Sequence, residues 1–338
     1  VMRVMVTGGA GYIGSVTTAM LLAAGHEATV LDDLSTGHRD AVPDGARFVE
    51  ADVRAAGDVL AREPFDAVLH FAARSVVADS VADPAAYWHA NVGGTTALLD
   101  AVRAHRVPRF VFSSTAAVYG DPAEVPIAET SATQPTNPYG ATKLAVDHMI
   151  GSHATAYGLA AVSLRYFNVA GAHGDFGERH ARETHLVPLV LEVARGLREH
   201  IVVHGTDWDT PDGTCVRDYI HVADLARAHV LALDAATPGR HEVCNLGNGV
   251  GFSVRDVIET ARRVTGREIP ERQGPRRAGD PAVLVAAADR AAAFLGWRPE
   301  HRDLAGIIAD AWAFHRADER TGPAAAVAGT AEAGPEGS

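Results

Sequence analysis

The chain has 338 residues, 47% of them apolar, enough for a full core in one large or two modest domains. Its 42 acidic and 30 basic residues leave a formal net charge of -12, which argues against broad nucleic-acid binding or an anionic membrane surface but leaves a local basic cleft open to an anionic ligand. No apolar run reaches the roughly 18 residues of a membrane span, Cys215 and Cys244 show no zinc-like or CxxC spacing, and strand-like residues begin at once, so a cytoplasmic protein without a signal peptide or metal site is expected.

In chain order, RVMVT at 3–7 reads as a strand, followed by a glycine cluster and a helix over 15–24 that Gly25 stops. Strands follow at 28–32, 46–49, 66–70, 109–114 and 160–168, with helical stretches at 88–104 and 138–151 between them. Short apolar strands alternating with longer helices predict an α/β fold, a Rossmann-type doubly wound parallel sheet covered on both faces. The second half is less regular: a long loop at 171–185, a helix at 186–198, a strand at 201–205, a helix at 222–234, a strand at 241–247, and helices at 253–266 and 302–316. The expected layout is a cofactor-binding unit over 1–170, joined by 214–247, and a smaller substrate lobe from 172–212 and 250–316. The Ala/Gly/Pro/Glu-rich tail 321–338 is expected to be disordered.

Gly8, Gly11 and Gly14 lie between the first strand and its helix. A tight turn needs bare backbone there, and the helix N-terminus offers free N–H groups to a pyrophosphate. Asp32 ends the next strand, 18 residues after Gly14, where a carboxylate accepts ribose hydroxyls and repels a 2′-phosphate, so NAD is favoured over NADP. Asp33 beside it serves the cofactor or the turn. Asp52, followed by Val53, meets the adenine amino group or caps a helix. Phe71, Ala72 and Ala73 leave room beside backbone, and Arg74 reaches the cofactor or stays solvated.

Tyr139 and Lys143 stand four apart on a predicted helix that Pro138 opens, so they share a face. A free tyrosine, with pKa about 10, is a poor base; a neighbouring ammonium and a positive nicotinamide are expected to lower that value. Lys143 is the only lysine in the chain. Thr115 ends the strand at SST and can relay a proton between a substrate oxygen and Tyr139, with Ser113 and Ser114 as alternatives. Ala116 and Ala117 supply no acid for expelling water. Arg217 and Arg277 can clamp a pyrophosphate, and Asp280 and Asn168 can bind hydroxyls.

Taken together, VTGGAGYIGS at 6–15, SSTAAVYG at 113–120, NPYGATK at 137–143, RYFNVAGA at 165–172, VRDYIHVADLA at 216–226 and RRAGDPA at 276–282 resemble the UDP-glucose 4-epimerase family of the extended short-chain dehydrogenase/reductase superfamily, over about residues 2–316. The resemblance implies Thr115, Tyr139 and Lys143 as catalytic groups, and Gly8, Gly11, Tyr12, Ile13, Asp32, Asp52 and Asn91 as NAD contacts. It implies Phe167 and Asn168 facing the sugar and diphosphate, with Arg217, Arg277 and Asp280 on the UDP of a UDP-sugar. His185, before Leu186, stands where the family carries asparagine or histidine. Arg74 replaces a frequent lysine, and Leu284 is intermediate at a position associated with room for an N-acetyl group. The expected activity is C4 inversion of a UDP-hexose in a homodimer. UDP-GlcNAc/UDP-GalNAc, a UDP-pentose or a silent NAD-binding regulator are the alternatives.

Overall fold

The computed structural model describes residues 1–277 and 280–321. Seven strands make one sheet: β1 (Arg3–Thr7), β2 (Glu27–Asp32), β3 (Arg47–Glu50), β4 (Ala67–His70), β5 (Arg109–Thr115), β6 (Ala160–Tyr166) and the later strand His241–Leu246. Every pairing in it is parallel, in the order His241–Leu246, β6, β5, β4, β1, β2, β3. The chain moves outward from β1 to β3, then crosses back to start β4 on β1's other side. That reversal opens a crevice at the carboxyl ends of β1 and β4, the usual ligand position in a doubly wound Rossmann-type sheet.

Parallel strands are covered on both faces, which explains apolar runs such as Val4, Met5 and Val6, all fully buried. Helices Tyr12–Ala23 and Val222–Ala235 pack on one face through Leu21, Leu225 and Leu233 with Trp297. Helices Ala56–Leu60, Gly94–Ala104 and Pro138–Tyr157 pack on the other through Leu60, Leu98, Leu99, Val146 and Ile150. A separate core joins helices Leu186–Ala194, Val254–Thr265 and Leu304–Thr321 through Val190, Leu191, Ile258, Ile307 and Ile308. Beside it, strand Val216–His221 pairs with Asn168–Ala170, Gly251–Ser253 and Val283–Leu284.

Some expectations needed revision. The helix at 88–104 opens as a π-helical turn, Trp88–Gly93, before the α-helix Gly94–Ala104, an irregularity often found at functional sites. The long loop at 171–185 contains a small antiparallel pair, Ala172–His173 with Phe176–Gly177. Strand Glu271–Gly274, paired with Ile201–His204, and strand Val283–Leu284 are too short to show an alternating pattern. Apart from Thr321, which ends the last helix, the stretch 321–338 lies outside the described residues.

Candidate active site

At the carboxyl end of β1 the chain turns through Gly8, whose φ of 71° suits glycine. A Cβ on Gly8 would come within 2.5 Å of the Ala72 nitrogen, and one on Gly14 within 2.2 Å of the Gly8 oxygen. These two glycines therefore let loop, helix and the exit of β4 close together. Gly11 precedes Tyr12–Ala23 with no side-chain cap and no acidic residue in the first turn. The helix end keeps N–H groups for a pyrophosphate, so the residues present fit a dinucleotide. Ile13 packs into the core beneath, and the Tyr12 hydroxyl donates to the Gly171 carbonyl at 2.6 Å, tying the loop to the second half of the chain.

Asp32 is buried at the end of β2. Its carboxylate accepts the N–H groups of Ala10 and Leu34, both at 2.9 Å. Burial raises its pKa, with the two N–H groups opposing. The pinned carboxylate keeps further lone pairs for ribose hydroxyls. Asp33 is exposed and accepts from Ser35 N in the turn. Asp52 caps the turn Val53–Ala55 through Arg54 N and ion-pairs with Arg54 at 2.8 Å. Phe71 and Ala72 both donate backbone N–H groups to the Thr7 carbonyl, folding the 71–73 segment over β1. Asn91 is buried with its amide engaged: Oδ1 accepts Arg74 N at 2.8 Å, and Nδ2 donates to Arg74 O and Thr142 Oγ1 at 3.0 Å each. It anchors the backbone of Arg74, whose side chain is exposed.

Helix Pro138–Tyr157 starts with Asn137 as cap, its Oδ1 accepting Gly140 N at 2.9 Å, and with Pro138 in the first turn. Tyr139 and Lys143 point toward the end of β5. Tyr139 is half-buried, with the Thr115 side chain close enough to favour its phenolate. Of the three hydroxyls considered for the relay, Thr115 meets the phenol, Ser114 reaches toward buried Asp147 at 3.3 Å, and Ser113 bonds Tyr166. Lys143 is buried, and its Nζ donates to the Ser113 carbonyl at 2.8 Å.

The electrostatics correct one expectation. Burial pushes Tyr139 up to about 12, and the Thr115 hydrogen bond is the group that pulls it down. The Lys143 ammonium, 5.9 Å from the Tyr139 ring centroid with Nζ donating to the Ser113 carbonyl, does not overcome that burial. Burial lowers Lys143 itself to about 8, with the Asp147 carboxylate opposing.

Across the crevice, buried Phe167 clusters with Ala116, Tyr119 and Leu284. Asn168 opens a strand beside Tyr219, and Leu284 lies in register with Arg217. Arg217 is mostly buried, donates to Val216 O at 2.9 Å, and has its guanidinium 3.8 Å from Asp280. Arg276 ion-pairs with Asp207 and stacks on Trp208 at 4.2 Å. Arg277 is exposed, and its side chain has no ion-pair partner among the described residues. His185 caps no N–H of helix Leu186–Ala194; its Nδ1 faces Glu178 and Glu183.

Two residues escaped the sequence reading. Tyr166 is in register with Thr115 across β5 and β6, so pairing those strand ends would have found it. At Gly140 a Cβ would lie 2.5 Å from the Ala117 oxygen; glycine there lets the Tyr139 helix press onto the turn after Thr115.

A glycine-opened crevice beside a hydroxyl–phenol–ammonium set defines a dinucleotide-dependent enzyme that works on a substrate hydroxyl. The chain belongs to the NAD dependent epimerase/dehydratase family, whose model matches residues 4–247, and NAD is accordingly its cofactor. It is 58% identical to the UDP-glucose 4-epimerase of Corynebacterium glutamicum, over 93% of this chain and 95% of that protein. A solved UDP-glucose 4-epimerase from Brucella ovis in complex with NAD superposes with TM-score 0.89 at 46% identity, covering 93% of this chain and 98% of that one. One from Bifidobacterium longum in complex with NAD+ and UDP superposes with TM-score 0.89 at 37% identity, covering 94% and 99%.

Proposed function

We propose that this chain interconverts UDP-galactose and UDP-glucose by inverting C4, acting in the cytoplasm as a homodimer. The observation that carries the reading is the Thr115–Tyr139 pair, held beside Lys143 at the carboxyl edge of the sheet next to the glycine loop. The UDP-glucose 4-epimerase relatives support the choice of a UDP-hexose. NAD, when bound, supplies a two-electron acceptor and a fixed positive charge. Gly8, Gly11, Tyr12, Ile13, Gly14 and Asp32 hold it, with Phe71, Ala72, Ala73 and Arg74 along one side. Asp33, Asp52 and Val53 border the adenosine end, and Asn91 and Ser113 support the other.

Tyr139 takes the O4 proton as the hexose is oxidised to a 4-ketone, with Thr115 relaying between sugar oxygen and phenol. The chain's own groups keep the phenol protonated, so its activation waits for the cofactor's charge. Lys143 fixes the Ser113 carbonyl and adds positive charge behind the ring. Arg217, Arg277 and Asp280 keep the UDP clamped while the sugar turns its other face, assisted by Phe167, Asn168, His185, Leu186 and Leu284. Tyr139 then returns the proton to O4. UDP-galactose added without external NAD should yield UDP-glucose. No product with any UDP-hexose, in protein verified to carry NAD, would overturn the reading.

A further inference from the structure

We propose that Glu178, His180, Glu183 and His185 bind one divalent transition-metal ion, zinc fitting best, which pins the loop between strand Phe176–Gly177 and helix Leu186–Ala194. The proposal is independent of the epimerase reading. The four donor atoms lie within 4.8 Å of one another. His185 Nδ1 is 2.8 Å from Glu178 Oε1 and 2.9 Å from Glu183 Oε1. His180 Nδ1 is 3.1 Å from Glu178 Oε1 and 3.3 Å from Glu183 Oε2. A tetrahedron with metal–donor bonds of about 2.0–2.2 Å has edges of about 3.3–3.6 Å. The four nitrogen–oxygen edges, 2.8 to 3.3 Å, fall at or below that scale and the other two lie within 4.8 Å, so side-chain shifts admit an ion.

Charge points the same way. The Glu178 and Glu183 side chains are only 6% and 5% exposed, so two carboxylates are buried together, which is costly without a cation. The ion-pair partners of Glu178 among the described residues are the two imidazoles. Two carboxylates and two neutral imidazoles balance a doubly charged ion and supply the nitrogen and oxygen donors zinc takes. The metal-free alternative holds two imidazolium rings with centroids 5.5 Å apart, where they repel. Both histidine side chains are partly exposed, which gives the ion a path in. Glu183 Oε1 also accepts the N–H groups of Thr184 and His185 at 2.7 Å each, fixing that donor before any ion arrives.

With four protein ligands the site is structural and takes no part in the reaction. The same loop reaches the cofactor side of the molecule: Arg179 pairs with Asp40 at 2.7 Å, and its carbonyl lies 2.7 Å from His38 Nε2. The ion therefore secures a clasp across the glycine loop.

The test starts from chelator-treated full-length protein, incubated with Zn2+, freed of excess by gel filtration and analysed by mass spectrometry. About one zinc per chain is expected, with Co2+ in its place giving the intense visible bands of a tetrahedral site. The double variant Glu178→Gln, His180→Asn, confirmed as folded by circular dichroism, should lose at least about tenfold of that binding. Less than about a tenth of an equivalent in the parent, or equal zinc in the variant, overturns the proposal. Should the double variant misfold, His180→Asn alone decides: the Co2+ bands must weaken, and unchanged bands refute the site.

Discussion

Replacing Gly140 with alanine tests whether the Tyr139–Thr115 geometry is set by how closely the helix lies on the turn after β5. The new Cβ would sit 2.5 Å from the Ala117 oxygen and 3.1 Å from Pro135 Cβ, against ordinary contact from 3.4 Å, so the gap to the oxygen must open by about 0.9 Å. The Ala117 N–H is bonded to Thr115 Oγ1 at 3.2 Å, so displacing the Ala117 backbone pulls the relay hydroxyl away from the phenol. A misplacement near 1 Å costs on the order of 100-fold in rate. Stability responds less: alanine gains up to about 1 kcal/mol of helix propensity, against about 1–3 kcal/mol for overpacking. Gly140→Ala should therefore lower kcat by about 100-fold while bound NAD and most of the stability survive. The assay is UDP-glucose formation from UDP-galactose, with thermal unfolding and cofactor content measured on the same sample. A kcat within about twofold of the parent would refute the reasoning.

Tyr139→Phe should cut turnover by about 10²–10⁴-fold with NAD still bound, and Thr115→Val should cut it less, both read as kcat at saturating UDP-galactose. Since the buried Lys143 ammonium loses its proton near pH 8, kcat should fall as pH rises through that value; a profile flat to pH 10 would count against a role for its charge. For stability the sign is opposite. The folded pKa of about 8 lies below the usual 10.5, so the unfolded chain binds more protons between those values and Lys143 adds stability as pH rises across that window. Urea unfolding of the parent and Lys143→Met should show their difference changing there and nowhere else. Asn91→Ala removes three hydrogen bonds of a buried amide and should cost about 2–4 kcal/mol in the same unfolding experiment.

The parts legible in the sequence were those that local rules dictate. Gly8 and Gly14 mark where backbone meets backbone, and a four-residue spacing puts Tyr139 and Lys143 on one helical face whatever surrounds them. Their electrostatics were not legible, because the direction of Nζ depends on where β5 places the Ser113 carbonyl, and the burial of the phenol depends on packing between distant segments. The choice of Thr115 over Ser113 and Ser114 likewise needed strand register: β6 takes Ser113 through Tyr166, and Asp147 takes Ser114. In the second half, strands of two to four residues such as Val283–Leu284 and Glu271–Gly274 are too short to carry a pattern. The Glu178–His185 cluster was hidden differently: its charged residues read as a solvated loop until the fold turned both carboxylates inward.

The claim that the C4 hydrogen leaves the sugar and comes back within one closed site is open to a single isotope measurement. UDP-galactose carrying deuterium at C4 is converted in ordinary water, and the product is examined by NMR. UDP-glucose with its C4 deuterium retained is the expected result. Loss of the label to solvent would mean that C4 is inverted by another chemistry, and the proton-transfer roles of Tyr139 and Thr115, with the supporting charge of Lys143, would fall with it.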